Sequence, residues 1–226
     1  MMPQNSNPIF QMIGAVAPAL VDYTQERIID ELWNRPGLTV RERAIATLST
    51  LIARNATNAY RYYFIKALDC GLRPSELSEL MTHLACYASF PYTFGAIAVL
   101  KDIFVEREIV PDEFPNASQA CGAEKCAYVP TTSVPFSEAL QHFTADLLEA
   151  EIWHRPGLAL RDRTLATFCA VAAQGNLESL APFVSYAKDQ GISRQALEEL
   201  LAHTAFYAGW AYANRVAIFL NGTFNN

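Results

Sequence analysis

The residues best suited to chemistry are a glutamate, a histidine and a tyrosine spaced four positions apart, a set that the sequence contains twice. The two copies are Glu79, His83 and Tyr87, and Glu199, His203 and Tyr207. Within an α-helix, residues at i, i+4 and i+8 lie on one face and span about 12 Å. If this face lines an apolar pocket, a glutamate beside a histidine could move a proton near neutral pH. Each copy is therefore a candidate site.

Cations occur at matching positions in the helices that we expect to pack beside these sets. They are Arg41 and Arg43, and Arg161 and Arg163. Such side chains could bind an anionic ligand, and a low dielectric would strengthen the contact. A helix N-terminus is nevertheless an unfavourable place for a cation, so paired arginines there also indicate ion pairs with a fixed acid. Glu79 and Glu199 are the obvious partners in this second interpretation, a structural clamp.

Structural interpretations exist for the other candidates too. A histidine on a half-buried helix can be hydrogen-bonded within the core without contacting any ligand. A tyrosine is more often a core aromatic with a bonded hydroxyl than a catalytic group. Both interpretations of His83, His203, Tyr87 and Tyr207 stay open at this point.

These residues belong to a larger repeat. Residues 31–47 (ELWNRPGLTVRERAIAT) match residues 151–167 (EIWHRPGLALRDRTLAT), and residues 77–92 match residues 197–212, always at a spacing of 120. A match that needs no gap over about seventy positions indicates duplication of one supersecondary unit. The expected divisions of the chain are an N-terminal arm (1–18), two repeats (19–108 and 136–226) and a proline-rich linker (109–135).

Helical patterns run through both repeats. Apolar residues recur at helical spacing, and no segment alternates strictly over the length of a strand, so the predicted fold class is all-α. The first helix, Ala19–Trp33, should end where Pro36-Gly37 forces a turn. Thr39 is the expected N-cap of the next helix, with Glu42 as its capping-box partner.

Composition limits the possible partners. The chain of 226 residues has a net charge of −6 and a pI near 5.2, which argues against binding to nucleic-acid phosphates. No apolar run approaches the roughly 20 residues that span a bilayer, and the N-terminus has no basic region before its short apolar stretch. Five cysteines without framework spacing fit a reducing compartment. We therefore expect a cytoplasmic protein without nucleic-acid or membrane partners.

The motifs resemble those of the carboxymuconolactone decarboxylase family, within the alkylhydroperoxidase-D-like superfamily. The first half reads W-x-R-P-G-L-x-x-R-x-R, then A-L-x-x-G-L, then E-L-x-x-H-x-A-x-Y-A, and the second half repeats most of this order. The resemblance covers nearly the whole chain and implies a tandem-duplicated member with an all-α fold. Single-unit members assemble as rings of six units, so a two-unit chain is implied to form a homo-oligomer, a pseudo-hexameric trimer.

The resemblance also implies a function. The family's named reaction removes carbon dioxide from 4-carboxymuconolactone in aromatic catabolism, without a metal or an organic cofactor. Loss of carbon dioxide requires cations that hold carboxylates and an acid that protonates the electron sink. The residues implied to bind a small anionic substrate are Arg41, Arg43, Arg161, Arg163, Tyr87 and Tyr207. Those implied to move protons are His83, His203, Glu79 and Glu199. The four histidines lack metal-ligand spacing within any one helix, so no metal is expected.

Two features bear on the alternative functions: one favours a non-catalytic protein, and the other disfavours a thiol peroxidase. Many family members carry a histidine in the third helix, where this sequence has Tyr63 and Phe183, and its loss favours a non-catalytic ligand-binding or scaffold protein. Peroxidases of the same superfamily use a C-x-x-C dithiol with a nearby histidine, and this sequence contains no C-x-x-C. Cys121 and Cys126 lie too far apart in the expected linker to replace it, so a thiol peroxidase is the second alternative.

Overall fold

The computed structural model describes residues 8–110, 114–117 and 136–224, and no β-strand occurs in these ranges. The all-α fold class is therefore confirmed. The helices of the first half are α1 (Pro8–Gly14), α2 (Pro18–Tyr23), α3 (Val40–Ala53), α4 (Tyr60–Asp69), α5 (Pro74–Tyr87) and α6 (Phe90–Glu106). Those of the second half are α7 (Glu138–Phe143), α8 (Leu160–Gln174), α9 (Leu177–Asp189), α10 (Arg194–Ala208) and α11 (Trp210–Phe224). Most of the expected linker, with Cys121 and Cys126, lies outside the described residues.

The first long helix of each repeat changes type before it ends. After α2 the chain continues as a π-helix (Thr24–Glu31) and a 3-10 turn (Leu32–Asn34). The second repeat does the same with a π-helix at Thr144–Glu149 and a 3-10 turn at Ile152–His154. A π turn takes up more residues than an α turn, so it changes which residues face the core. The predicted helix Ala19–Trp33 is thus present, but not as one regular α-helix.

A tight turn then directs the chain into α3. Gly37 has a φ of +96°, in the left-handed region where a side chain would be strained, and a Cβ there would also lie 3.1 Å from Cγ of Glu199. The predicted capping box is confirmed: the Thr39 hydroxyl accepts from the Glu42 backbone N–H, and the Glu42 carboxylate accepts from the Thr39 N–H. The turn thereby fixes where α3 begins and brings the loop before it against α10.

Two helices, α3 and α8, form the centre of the fold and pack along each other. Both are apolar or small on nearly every side and are buried over 42–53 and 162–173, as expected for a helix surrounded by others. The outer helices cross between the halves: α10 packs against α3, and α5 packs against α8. The helices that carry the repeated glutamate, histidine and tyrosine therefore each lie against the opposite repeat.

Candidate functional site

The crossing of α5 and α10 creates two polar clusters between the repeats. We call them the His203 cluster and the His83 cluster. The His203 cluster combines Trp33, Arg35, Arg43, Thr47 and Tyr63 of the first repeat with Glu199, His203 and Tyr207 of the second. The His83 cluster combines Trp153, Arg155, Arg163, Thr167 and Phe183 of the second repeat with Glu79, His83 and Tyr87 of the first.

In the His203 cluster, one carboxylate is held by two arginines. Nη2 and Nε of Arg35 donate to Oε1 of Glu199 at 2.9 and 3.0 Å, and Nη2 of Arg43 donates to Oε2 at 3.1 Å. Arg43 is fully buried, and its Nη2 also donates to the backbone oxygens of Arg35 and Pro36. The hydrogen bonds to Glu199 raise the pKa of Arg35. Glu199 therefore balances two cations and fixes the position of Arg43.

Arg43 also determines the protonation state of His203. Its Nη1 lies 2.9 Å from Nε2 of the imidazole, and a guanidinium can only donate, so Nε2 accepts. The proton then resides on Nδ1, which lies 3.3 Å from the Thr47 hydroxyl. Burial, reinforced by the charge of Arg43, lowers the pKa of His203 to about 3. The imidazole is therefore neutral at physiological pH.

Hydroxyl groups continue this network away from the histidine. The Tyr207 hydroxyl lies 2.9 Å from the Tyr63 hydroxyl, and Thr47, which contacts His203, lies beside Tyr207. Nε1 of Trp33 donates to the same Tyr207 oxygen at 2.9 Å. Burial raises the pKa of both tyrosines, so they stay protonated. A row of hydroxyl groups thus extends from Tyr63 through Tyr207 and Thr47 to His203.

In the His83 cluster, two arginines also hold one glutamate, and the three side chains are together more deeply buried than those of the His203 cluster. Arg155 donates to both oxygens of Glu79 at 2.7 and 2.9 Å, and Nη2 of Arg163 lies 3.4 Å from Oε2. Nε2 of His83 lies 2.7 Å from the Thr167 hydroxyl. Burial and the charge of Arg163 hold the pKa of His83 well below its usual range, so this imidazole is neutral too.

The hydroxyl chain of the His83 cluster is shorter. Tyr87 accepts from Nε1 of Trp153 at 2.7 Å and lies beside Thr167, the hydrogen-bond partner of His83. Beyond Tyr87 the chain ends, because Phe183 lies at the position of Tyr63 and has no hydroxyl. The two clusters thus share a clamp and a neutral histidine but differ in what lies beyond the tyrosine.

The structure brings only some of the predicted site residues together. Arg43 and Arg163 join the clusters with Glu199 and Glu79, as the clamp interpretation predicted. Each glutamate, however, pairs with the arginine of the opposite repeat. In the His203 cluster Arg43 contacts both Glu199 and His203, so the expected glutamate–histidine pair is bridged by a cation.

Arg41 and Arg161 lie outside both clusters. Arg41 pairs with Asp162 at 2.8 Å and with Glu76 at 2.8 Å, and Arg161 pairs with Glu42 at 2.7 Å. The pairs with Asp162 and Glu42 cross the junction between α3 and α8, whereas Glu76 belongs to the same repeat as Arg41. Arg41 and Arg161 thus each form an ion pair between the two repeats.

Several cluster members were missed by sequence reasoning. Arg35 and Arg155 were assigned only to a helix stop and turn, and Thr47 and Thr167 were given no role. One signal could have identified them: all four recur at the spacing of 120, together with Trp33 and Trp153. The turn itself does not require an arginine, so a polar residue that recurs there in both repeats indicates a further role.

Two cavities lie near the helices described. A cavity of about 150 Å³ is bounded by α1, the first π-helix and α4, and Tyr63 forms part of its wall. A second, of about 400 Å³, lies between α5 and α6 and is mostly apolar. Among the described residues, no group of three or more histidines, cysteines or acids could hold a metal ion. Over the same ranges, no helix is long and apolar enough to cross a membrane.

Comparison with known proteins gives two matches. The sequence profile of the carboxymuconolactone decarboxylase family matches residues 18–102 and again residues 138–221. A 4-carboxymuconolactone decarboxylase from Acinetobacter baylyi is 29% identical over 83 residues. That alignment covers 37% of this chain and 62% of the relative, so it corresponds to about one repeat.

Proposed function

The chain belongs to the carboxymuconolactone decarboxylase family, and from this premise we propose that it is a cofactor-independent carboxy-lyase or a related lyase or isomerase. Its substrate would be a small carboxylated lactone or a similar anionic ring compound. One observation carries the proposal: a buried arginine and a neutral histidine are joined to a chain of hydroxyl groups between the repeats. The similarity to a named decarboxylase supports the same reaction class.

The chemistry needs a positive field and a proton donor. In decarboxylation the bond between the ring and the carboxylate carbon breaks, the electron pair stays on the substrate, and a proton is added there. Arg43 supplies a fixed charge in a low dielectric, where electrostatic stabilisation is largest. A neutral imidazole holds one N–H and one lone pair, and because the lone pair of His203 accepts from Arg43, its Nδ1–H can donate to the Thr47 hydroxyl.

The roles proposed for the acids and the outer arginines follow from their contacts. Glu79 and Glu199 are each bound by two arginines, so we assign them to positioning the cations and not to carrying protons. Arg41 and Arg161 are committed to carboxylates of the opposite repeat and are left out of the substrate-binding set. Tyr87 and Tyr207 remain candidates through their place in the hydroxyl chains.

A non-catalytic ligand-binding or scaffold role is the second candidate. It is favoured by the complete burial of both histidines, which have 0% exposure, and by the fact that neither cavity described above has a histidine in its wall. A thiol peroxidase has no comparable support. Burial raises the pKa of Cys70, Cys86 and Cys169, which disfavours the reactive thiolate.

An activity screen separates the two candidates. Purified protein is incubated with 4-carboxymuconolactone and with a panel of small carboxylated lactones, while carbon dioxide release and ultraviolet absorbance are recorded. We expect turnover of at least one compound, and a loss of about 100-fold or more in a His203→Gln variant. Binding of panel compounds without any turnover would support the scaffold role instead. Turnover that His203→Gln and His83→Gln both leave unchanged would contradict the proposed site.

A further inference from the structure

We propose that only the His203 cluster accepts substrate, and that Tyr63 and Lys66 of α4 contact it there, Tyr63 as the proton donor and Lys66 as the ligand of a carboxylate. The inference rests on the proposed function for the reaction that it serves. The His83 cluster then has a structural role. A cavity beside the His203 cluster and three differences between two otherwise matching clusters carry the argument.

The first observation is the space beside Tyr63. The cavity that Tyr63 borders has a volume of about 150 Å³, and a cavity of about this size accommodates one benzene ring. Its wall is almost entirely apolar or aromatic, with Ile13, Ile29 and Tyr62 among its members. A single-ring compound fits this space, and we place its polar end at the Tyr63 hydroxyl.

The first of the three differences is the hydroxyl itself. Tyr63 is half-buried, and its hydroxyl lies 2.9 Å from that of Tyr207, so it connects the cavity wall with the chain that ends at His203. Phe183 takes the same position in the His83 cluster and packs against Tyr87 and Trp153. Phe183 has no hydroxyl that could transfer a proton, so only the His203 cluster has a proton donor at this position.

The second difference is a cation. Nζ of Lys66 lies 4.1 Å from the ring centroid of Trp33, one helical turn from Tyr63. Among the described residues no carboxylate lies within salt-bridge distance of Lys66. A cation–π contact orients an ammonium without cancelling its charge. Tyr186 replaces Lys66 in the His83 cluster, where it packs edge-on against Trp153.

The third difference is access. The Arg35 side chain is 45% exposed, whereas that of Arg155 is 7% exposed. The segment 114–117 covers Arg155, which donates to the Pro115 backbone oxygen at 2.8 Å. Nη1 of Arg163 and Nδ1 of His83 have no hydrogen-bond partner among the described residues, and they could otherwise attract an anion. They are nevertheless enclosed, because the rings of Trp153, Phe183 and Tyr186 are at most 5% exposed.

In the proposed reaction, the substrate receives its proton from Tyr63. The carboxylate carbon leaves as carbon dioxide, and the electron pair of the broken bond stays on the ring. The Tyr63 hydroxyl donates its proton to that electron pair, and the Tyr207 hydroxyl, 2.9 Å away, donates a hydrogen bond to the phenolate that forms. Water that enters the cavity after the product leaves returns a proton to Tyr63. Burial raises the pKa of Tyr63, so the hydroxyl is protonated at neutral pH before the step.

A binding experiment tests the site independently of the reaction. Benzoate, a single ring with one carboxylate, is titrated into the intact protein by calorimetry. We expect one benzoate per chain, and an affinity lowered by about tenfold in Lys66→Met, a substitution that keeps the apolar stem on Trp33. Two equivalent benzoates per chain, no benzoate binding, or equal affinity in Lys66→Met would each overturn the proposal.

Turnover then tests Tyr63 against a matched control. Tyr63→Phe removes a hydroxyl from the His203 cluster, and Tyr186→Phe removes one from the His83 cluster. We expect Tyr63→Phe to lower kcat by about 100-fold with KM changed by less than about threefold, and Tyr186→Phe to leave both unchanged. Equal effects of the two variants, or no effect of Tyr63→Phe, would overturn the inference. A protein that binds one benzoate through Lys66 but turns over no panel compound retains the binding site, while the proton-donor role of Tyr63 and the proposed function both fail.

Discussion

The buried neutral histidines make stability depend on pH in a defined window. The folded state lowers the pKa of His203 to about 3 and holds that of His83 well below its usual range, whereas an unfolded chain has histidines near 6.5. Below pH 6.5 the unfolded state therefore binds more protons than the folded state. Since the unfolding free energy rises with pH wherever the unfolded state binds more protons, it must fall as the pH drops through 6.5.

The magnitude follows from linkage. Between about pH 7.5 and about pH 5, each histidine that stays neutral in the folded state costs about 2 kcal/mol of unfolding free energy, so the pair costs about 4 kcal/mol. The folded-state pKa values of Glu42 and Glu76 are lowered from 4.5, so these acids weaken the fold only below that pH. Half-buried His154 also has a lowered pKa and adds a smaller loss in the same direction.

Urea titrations at several pH values measure this effect. The unfolding free energy is determined at about pH 7.5, 6.5, 5.5 and 5 for the wild type and for His83→Gln, His203→Gln and the double variant. Each substitution should lower the stability at pH 7.5 by about 1–2 kcal/mol, the range of a lost buried hydrogen bond. It should also remove about 2 kcal/mol of the pH-dependent loss, so that the double variant is nearly flat apart from His154.

Two results would refute the reasoning. One is a wild-type stability that does not change between pH 7.5 and pH 5. The other is a pair of imidazole resonances, assigned to His83 and His203, that titrate in the folded protein with midpoints near 6.5. Either would mean that these side chains exchange protons with water and are not enclosed as the structure has them.

Three further outcomes are expected. Glu79→Gln should lower the unfolding free energy by about 3–5 kcal/mol, because it leaves two buried arginines without a counter-charge. Glu199→Gln should lower it less, because Arg35 is half-exposed. Equal losses of unfolding free energy for the two variants, measured in urea at one protein concentration, would contradict this. Cys169 is fully buried with a raised pKa, so iodoacetamide should leave it unmodified until the protein unfolds; modification of the native protein would be the contrary result. Apolar side chains exposed on α6 and α11, such as Phe94 and Trp210, should be buried in a trimer. Light scattering should then give a mass of about 75 kDa, three times the chain mass of 25.1 kDa. The mass of a single chain at micromolar concentration would refute this prediction.

Local features of the fold were accessible from the sequence because they depend on neighbours in the chain. The capping box of Thr39 and Glu42 needs only four consecutive residues, and it occurs as predicted. The all-α class followed from apolar spacing in the same way. The change to a π-helix at Thr24–Glu31 was not predicted, because it is a tertiary adjustment without a sequence signature of its own.

The candidate site was only partly accessible. Pairing of Arg43 with a glutamate could be inferred from the cost of an unpaired cation at a helix N-terminus. The sequence could not show which repeat supplies that glutamate, because two copies of one pattern are equally compatible with either pairing. The exposure of Arg35 and the enclosure of Arg155 also depend on segment 114–117, whose position no local rule determines.

The composite origin of the two clusters has an evolutionary consequence. If two identical units paired in this manner, every copy of the cluster would hold the same side chains, and any substitution on the third helix would alter all of them together. When the two units are joined in one polypeptide, each copy of the cluster is encoded separately and can change without the other. Tyr63 and Phe183, or Lys66 and Tyr186, can then differ within one molecule. Fusion thus allows one cluster to specialise in structure while selection preserves the other, a division of labour that a symmetric assembly could not reach by point mutation.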